Sequence, residues 1–295
     1  KKERSRKMKR LSFYSFLCAV LLMSVNVFGQ FAGGNGTLAN PYQVATASQF
    51  RAIANSDAFF VQTADITFDE STDFPKIESF SGIYDAQGYK IIAQSDKTKP
   101  LFGTVRGTIT RLIVDMGEYT VTVRNEGAIL CTDLNGGTIS YCNIQGNVTG
   151  ATAGGIVNTM KSGLVEYCCF TGNVRASGVL VLGYNIGGYA GGICAIQYGG
   201  EIKGSMVASP SNIHGATAIG LASASGIANG SNSPQVTSCY SQATVTISKL
   251  WAGADNAPGA DVAANATPTN AYPDANAGTR SGEALAAYLN TDLDP

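Results

Sequence analysis

The residues of this chain that could perform chemistry are acidic and basic side chains spread among short apolar segments. A polysaccharide lyase or a glycosidase would need two or more of them on one exposed face, as general acid, general base or charge stabiliser. The candidates are Asp85, Asp115, Glu118, Asp133, Glu166, Glu201, Arg106, Arg111 and Arg175. None of them forms a pair that identifies a catalytic site, so we expect these charges to lie on a solvated surface.

His214 is the only histidine, which excludes a zinc peptidase site of the usual kind and leaves no His-Glu-x-x-His motif. A Ser-His-Asp triad would also need His214, but the chain has no Gly-x-Ser-x-Gly motif, and "SNIHGA" predicts a loop position. The segments "GGNGTL" and "GGYAGG" lack the Gly-Lys-[Ser/Thr] ending of a phosphate loop. The sequence therefore predicts no catalytic residue and no nucleotide site.

Asp65, Asp69 and Glu70 are the oxygen ligands that calcium would require, but their spacing matches no known ligand loop. The sequence therefore predicts no metal and no other cofactor. Tyr141 and Tyr167 occupy equivalent repeat positions, and strand alternation would turn both outward. They would form either a platform for a sugar ring or an aromatic ladder that stiffens the sheet, and we favour the ladder.

The elements that must position these side chains come from an internal repeat. "GGTISYCNIQGNVTG", from Gly136, is followed 26 residues later by "SGLVEYCCFTGNVRA", with six of fifteen aligned positions identical. Related copies are "GTITRLIV", "GEIKGSMV" and "PQVTSCYS". The first apolar residues of the five copies are Ile109, Ile139, Val165, Ile202 and Val236, at steps of 30, 26, 37 and 34 residues. Irregular steps are typical of stacked repeats with variable loops.

The same alignment sorts the outward positions into two columns, and neither column concentrates acid. One column contains Arg111, Tyr141, Tyr167, Gly204 and Ser238, and the other contains Thr110, Ser140, Glu166, Lys203 and Thr237.

Each repeat carries two further short strands. One begins in "GAIL" at Gly127, "GGIV" at Gly154, "GGIC" at Gly191 and "SGIA" at Ser225, and the other is "GNVT", "GNVR" or "ATVT". Strands this short bury their apolar side only when successive repeats stack, about 4.8 Å apart, with like residues in ladders. The sequence therefore predicts a coil of three strands per repeat.

Six cysteines lie outside the N-terminal apolar run: Cys131, Cys142, Cys168, Cys169, Cys194 and Cys239. An even number in an exported protein is compatible with disulfides. Because Cys142, Cys168 and Cys239 occupy equivalent repeat positions, we favour a buried ladder of thiols.

Composition and the N-terminus indicate an exported all-β protein. The chain has 295 residues, of which 35 are glycine and only 14% are charged, a composition that favours many turns joined by short strands. A basic cluster precedes an apolar run from Leu11 to about Met23, which predicts a signal peptide over residues 1–29 and a secreted or outer-surface location. The run is too short to predict a membrane span.

Removing residues 1–29 leaves 13 basic and 20 acidic residues, a formal charge of −7. A chain of this charge is a poor partner for nucleic acid. At the N-terminal end, Pro41 and Tyr42 begin a strand, and residues 46–54 are predicted to form a short helix with Phe50 and Ile53 on one face. This helix would cap the stack, because an open end exposes unpaired backbone groups.

The expected organisation is a signal peptide over residues 1–29, one stacked β domain over residues 30–250 and an irregular segment over residues 251–295. That last segment ends in a short predicted helix, in which Ser281 is the cap and Leu285, Tyr288 and Leu289 have helical spacing.

The segments "FAGGNGTLANPYQVATASQF", "FSGIYDAQGYKI", "LFGTVRGTITRLIV" and "GGIVNTMKSGLVEYCCFTGNV" together resemble the GLUG-repeat proteins, exported bacterial surface proteins whose repeats also accompany IgA-specific peptidases. The resemblance covers about residues 31–250. It implies a right-handed, single-stranded parallel β-helix with an adhesive or scaffolding role. "GEIKGSMV" departs from the pattern because it lacks the cysteine, and "SPQVTSCYSQATVT" departs because it lacks the corner glycine.

The sequence is compatible with three functions. The first, which we favour, is a non-enzymatic, adhesin-like surface module that presents an extended face to a glycan or a host surface protein. The second is a carbohydrate-active enzyme with a groove lined by carboxylates or basic residues. The third is a non-catalytic part of a larger surface protein whose active portion lies beyond Pro295.

Overall fold

A computed structural model describes residues 30–53, 57–181, 184–186, 188–217, 223–230 and 235–249. Within these ranges the protein is almost entirely β, with parallel sheets and one five-residue helix. No helix among them is long and apolar enough to cross a bilayer. The predicted signal peptide over residues 1–29 and the predicted tail over residues 251–295 lie outside the described residues.

The first sheet has twelve parallel strands. They are β1 (Tyr42–Val44), β2 (Phe59–Gln62), β4 (Ile77–Phe80), β5 (Ile83–Asp85), β7 (Phe102–Val105), β8 (Thr108–Thr110), β11 (Cys131–Ser140), β14 (Val157–Glu166), β20 (Cys194–Gln197), β21 (Glu201–Lys203), β25 (Ala228–Gly230) and β26 (Gln235–Thr237). Most of them run across the stack in the order β1, β2, β5, β8, β11, β14, β20, β25. β11 and β14 are long enough to pair with two strands of a neighbouring repeat each.

The second sheet has ten strands and the third has four, and the four strands of the third sheet all follow Thr122 in the sequence. The second contains β3 (Ile66–Phe68), β6 (Lys90–Ala93), β9 (Ile113–Thr122), β12 (Asn143–Gly150), β15 (Cys169–Thr171), β16 (Asn173–Ala176), β22 (Met206–Val207), β23 (Asn212–Thr217), β27 (Tyr240–Ser241) and β28 (Thr244–Lys249). The third contains β10 (Glu126–Ala128), β13 (Thr152–Gly154), β19 (Tyr189–Gly191) and β24 (Ser223–Ser225). An antiparallel hairpin of β17 (Val179–Val181) and β18 (Tyr184–Ile186) interrupts this pattern and was not predicted.

The predicted ladder of first apolar residues is confirmed. Ile109 lies opposite Ile139, Ile139 opposite Val165, Val165 opposite Ile202, and Ile202 opposite Val236. The same column continues toward the N-terminus through Tyr84, Phe60 and Tyr42. Equivalent residues of successive repeats therefore sit on one another, as expected of a β-helix-like architecture.

The other two predicted columns also form, with one correction. Val121, Val148, Val174, Ile213 and Val245 are in register along the second sheet. In the third sheet, however, Gly127 lies opposite Ala153, and Ala128 lies opposite Gly154. The predicted alignment of Gly127 with Gly154 is therefore wrong by one residue, because a run of small residues gives no size difference to fix the register.

The core is a set of ladders of fully buried aliphatic residues. Ile109, Ile139, Val165 and Ile202 are each inaccessible to solvent, and burial of such a side chain contributes about 1.5–3 kcal/mol. Cys142, Cys168 and Cys239 form the predicted buried cysteine column, and all six described cysteines are free and buried. Ser205 takes the place of cysteine in the intervening repeat, where its Oγ accepts a hydrogen bond from the Cys168 amide at 3.1 Å.

The predicted N-terminal helix is present but short. α1 spans Ala47–Arg51, and the Thr46 side chain caps it by accepting from the Gln49 amide. It ends at Arg51 rather than at residue 54, because Ala52 already serves as the C-cap. Phe50 and Ile53 are fully buried, and the Phe50 ring meets the rings of Phe68, Tyr84 and Phe102 edge to face at 5.5–5.9 Å.

Candidate functional site

Three of the candidate carboxylates are tied to cations of neighbouring repeats. Arg111 forms a bidentate pair with Asp85, in which Nε donates to Oδ1 at 3.0 Å and Nη2 donates to Oδ2. Lys161 pairs with Asp133 at 3.0 Å, and Lys90 pairs with Asp115 at 3.7 Å. These contacts link adjacent repeats along the outer faces, so the side chains do not converge on one point.

The remaining candidates are also dispersed. Arg106 donates to the Ser79 hydroxyl at 3.0 Å, and Glu201 accepts a hydrogen bond from the Thr237 hydroxyl at 2.7 Å. Glu166 lies opposite Lys203 in the strand register, and Arg175 lies opposite His214 on a different sheet. Glu118 lies in β9, where its backbone carbonyl accepts from the Asn147 side chain at 2.8 Å. Among the described residues these contacts join different repeats and do not build one site.

His214 lies in strand β23, so the predicted loop position is wrong. Its Nδ1 is 2.8 Å from the Thr246 hydroxyl of the adjacent strand. Partial burial, and secondarily the charge of Arg175, lower the pKa of His214 below its usual value. The hydrogen-bonding pattern of parallel strands continues through "SNIHGA", and this pairing with the neighbouring repeats overrides its loop-like composition.

Two of the three residues considered for calcium, Asp65 and Asp69, accept hydrogen bonds from other residues of the protein. Asp65 accepts a hydrogen bond from the Lys90 amide at 2.8 Å, and Asp69 accepts from the hydroxyls of Ser71 and Thr72. Those hydroxyl contacts lower the pKa of Asp69. In the part of the chain that the structure describes, no three His, Cys, Asp or Glu residues are grouped to hold a metal ion.

Tyr141 and Tyr167 stack on the outer surface, but not for the predicted reason. Both follow the end of a strand and adopt left-handed backbone conformations, with φ of 54° and 52°, as do Arg111, Gly204 and Ser238 in the same column. This shared corner, rather than strand alternation, turns the side chains outward. Their ring centroids are 5.3 Å apart with an interplanar angle of 7°.

The stack favours the ladder interpretation over a sugar platform. The Tyr167 ring packs over Gly204, where an added Cβ would lie 2.7 Å from its Cε1, and Lys203 Nζ lies 6.0 Å from the ring centroid. One face of Tyr167 is thus occupied by Tyr141 and the other by the next repeat. A sugar would need a free ring face, and Tyr167 offers none.

The structure adds a surface groove that sequence reasoning missed. It has a volume of about 400 Å³, within the range of ligand-binding clefts. Three loops from successive repeats line it, and each loop carries one basic side chain: Lys76, Lys99 and Arg124. Acidic, neutral polar and apolar side chains complete the lining: Glu78, Glu126, Thr98, Thr132, Asn125, Pro75, Pro100 and Val123.

A glycine lies between two of the residues that line the groove. The register places Ile77 opposite Phe102 and Phe102 opposite Cys131, so the next positions, Glu78, Gly103 and Thr132, form one column. A Cβ on Gly103 would come within 2.6 Å of the Glu78 carbonyl oxygen. Glycine at this position therefore permits the close approach of the two strands.

The charges of the groove are only partly neutralised. Lys76 pairs with Glu78 at 3.6 Å, but both side chains are accessible to solvent, so this ion pair is weak. Lys99 and Arg124 are exposed and form no ion pair with any residue in the described ranges. Lys76 has φ of 45°, outside the repeated corner that accounts for Arg111 and the tyrosines. Such local strain is frequent at ligand-binding positions.

Lys97 fixes the loops behind the groove. It is almost fully buried, and its Nζ donates to the carbonyl oxygens of Asp69 and Thr72 at 3.0 and 2.8 Å and to the Ser95 hydroxyl at 2.8 Å. Its backbone bonds to Thr120 and Thr122 of the next repeat. Burial lowers the pKa of Lys97, while the carboxylates of Asp73 and Asp69 oppose that shift.

Asp73 joins two of the loops directly. Its Oδ1 accepts from the Thr98 amide at 3.0 Å, and its Oδ2 accepts from the Thr98 hydroxyl. The groove walls are therefore held in place in the absence of a ligand. In the sequence, the only signal is a basic residue beside a proline in both "FPKIE" and "TKPLF", and these segments lie outside the repeated motif.

No known family model matches the chain, and no curated protein sequence matches it. Among solved structures, the chain is similar to one from Bacteroides ovatus described as a "putative immunoglobulin A1 protease". The TM-score is 0.57 at 20% sequence identity, and the match covers 74% of this chain and 70% of the other. Similarity at this identity supports the parallel-sheet architecture and no more.

Proposed function

We propose that this chain is an exported surface module that binds a glycan or a host surface protein and does not catalyse a reaction. Its described part would be a right-handed parallel β-helix with GLUG-like repeats, displayed outside the cell. The observation that carries the proposal is the preformed groove, in which two exposed cations have no described ion-pair partner.

One further observation supports a binding role. The in-register columns make a stiff stack, and a stiff stack presents loops from several repeats as one extended surface. The candidate carboxylates, in contrast, are spread over different repeats and engaged in cross-repeat contacts.

Binding and catalysis can be separated in one experiment. The full chain would be incubated with acidic and neutral polysaccharides and with immunoglobulin A1, and both retention and cleavage would be measured. We expect retention of at least one ligand without new reducing ends, unsaturated sugars or protein fragments. Cleavage that disappears in Glu166→Ala or Asp133→Ala would replace this proposal with the carbohydrate-active enzyme.

Export is tested separately. Expression of the full chain in a bacterial host, followed by fractionation and N-terminal sequencing, should place the protein outside the cytoplasm with residues 1–29 removed. Retention of an intact N-terminus in the cytoplasmic fraction would contradict the predicted location.

A further inference from the structure

We propose that the groove binds an acidic oligosaccharide, with a sugar carboxylate held by Lys99 and Arg124 and neighbouring hydroxyls held by Glu78 and Thr132. This inference rests on the proposed binding function and specifies its ligand class.

The cations argue for a carboxylate. Lys99 and Arg124 come from successive repeats and line the same groove, and neither has an acidic partner among the described residues. A guanidinium binds a planar carboxylate through two parallel hydrogen bonds, and an ammonium adds a point charge. An anion between Lys99 and Arg124 would therefore pair with two cations that have no acidic partner among the described residues.

The acidic residues of the groove argue against a polyanion as densely charged as polyphosphate. Glu78 and Glu126 line the same cavity as the three cations, so its formal charge is only +1. The chain without residues 1–29 carries a formal charge of −7. A polyphosphate would be repelled by the glutamates and by the net charge, whereas an oligosaccharide with at most one carboxylate per sugar ring can place neutral C–H and hydroxyl groups beside the glutamates.

The neutral lining argues for a sugar. Pro75, Pro100 and Val123 give the groove apolar wall segments that suit the C–H faces of pyranose rings. Thr132 and the carboxylate of Glu78 supply a donor and acceptors, which match hydroxyl groups that both accept and donate. A volume of about 400 Å³ accommodates more than a single anion.

The groove is also preorganised, which reduces the cost of binding. Lys97 holds the loop around residues 69–72 through carbonyl oxygens, and Asp73 holds Thr98 in the next repeat. The wall that carries Lys99 therefore needs no ordering when the ligand arrives.

The test compares two matched double variants of the full chain. Lys99→Gln/Arg124→Gln removes the two groove cations, and Lys203→Gln/Arg175→Gln removes one exposed lysine and one exposed arginine outside the groove. The probes are oligogalacturonate, its methyl ester, a neutral oligosaccharide of equal length, an acidic peptide and a polyphosphate. Calorimetry measures affinity, and circular dichroism verifies that each variant is folded.

We expect the groove variant to bind oligogalacturonate at least about tenfold more weakly, the effect of losing one charge-assisted hydrogen bond. Esterification should weaken binding to the same extent, and the control variant should stay within about twofold of the wild-type affinity. Higher salt should weaken binding as well, because both cations are exposed.

The outcomes separate this inference from the function on which it depends. Equal affinity for acid and ester, or equal loss in both variants, would overturn the acidic-sugar assignment while the binding module stands. Retention of an acidic peptide or polyphosphate but no oligosaccharide would replace the ligand class. Failure to bind any glycan or host protein would reject both proposals.

Discussion

The rings of Tyr141 and Tyr167 lie face to face across adjacent repeats, with centroids 5.3 Å apart and planes inclined by 7°. Both residues occupy a left-handed corner, so the geometry of the corner sets the geometry of the stack. The pair therefore reports directly on the spacing of two successive repeats at the outer surface.

A double-mutant cycle on this pair should show favourable coupling. We expect Tyr141→Ala and Tyr167→Ala to be coupled by about 0.5–1.5 kcal/mol in the free energy of unfolding, the usual value of an aromatic pair. Urea denaturation measures the effect. Tyr198, half exposed, provides the control, because its replacement by alanine should not couple to Tyr141. Additive losses at positions 141 and 167 would mean that the stack contributes nothing.

Two glycine substitutions should differ sharply in cost. Gly172 and Gly88 both have positive φ, at 145° and 81°, so alanine is strained at each. A Cβ on Gly172 would overlap the carbonyl oxygen of Gly146 in the preceding repeat, whereas a Cβ on Gly88 meets nothing within 4 Å. We expect Gly88→Ala to cost about 1–2 kcal/mol and Gly172→Ala several times more. The measurements are urea midpoints and soluble yield. Similar losses of stability in the two variants would contradict the close contact between Gly172 and Gly146.

The buried cysteines should resist thiol reagents until the protein unfolds. Burial raises the pKa of Cys169, Cys194 and Cys239 to about 12. At pH 8 their thiolate fraction falls by about a thousandfold relative to an ordinary cysteine, in addition to their lack of solvent access. We expect negligible labelling of these three residues in the native state and full labelling in guanidinium, quantified by peptide mass spectrometry. Rapid native labelling at Cys239 would place that thiol outside the core.

The same shifts set the alkaline stability of the protein. A thiol with a raised folded pKa stabilises the native state fully below its unfolded pKa of about 8.5. That contribution is lost as pH rises toward about 12, because only the unfolded chain releases the proton. The free energy of unfolding should therefore decline above about pH 8.5.

Lys97 should make the free energy of unfolding depend on pH with the opposite sign. Its folded pKa is lowered by burial, so between that value and about 10.4 the unfolded chain holds the proton more tightly. Stability from this group therefore rises with pH across that window and is constant below it. Lys97→Met removes this dependence and leaves the carbonyl oxygens of Asp69 and Thr72 without their ammonium donor.

We expect Lys97→Met to lose about 1–3 kcal/mol near neutral pH, the usual cost of an abandoned buried hydrogen bond. The difference between wild type and variant, measured by urea denaturation at several pH values, separates Lys97 from the cysteines. Lys161→Met, which removes an exposed lysine, should change stability by less than about 1 kcal/mol. Equal losses in the two variants would show that the buried ammonium has no special role.

The ladders could be predicted because residues that lie on one another must have similar size and polarity. Ile139, Val165 and Ile202 satisfy this rule, and the spacing of the cysteines follows from it as well. Ser205 shows why the predicted register survives a missing cysteine: its hydroxyl donates to the carbonyl of residue 203, as the Cys168 thiol does to residue 166.

The features that were missed depend on geometry that does not repeat. The predicted register of the segment that begins at Gly127 is wrong by one residue. Small residues flank this position, so the sequence does not distinguish one register from the next. The composition around His214 predicts a loop, although its strand is fixed by pairing with β16 and β28. The groove could not be predicted, since Lys76, Lys99 and Arg124 lie in loops of different length and have no shared motif.

Pairing between successive repeats has a consequence for how this protein could change in length. Residues 137–162 run from one corner to its equivalent in the next repeat, since Ile139 lies over Ile109 and under Val165. If this segment were deleted, Leu164, Val165 and Glu166 would pair with β8 in place of Thr138, Ile139 and Ser140. The loops that line the groove would not change. Whole repeats could thus be gained or lost during evolution while the groove stays the same.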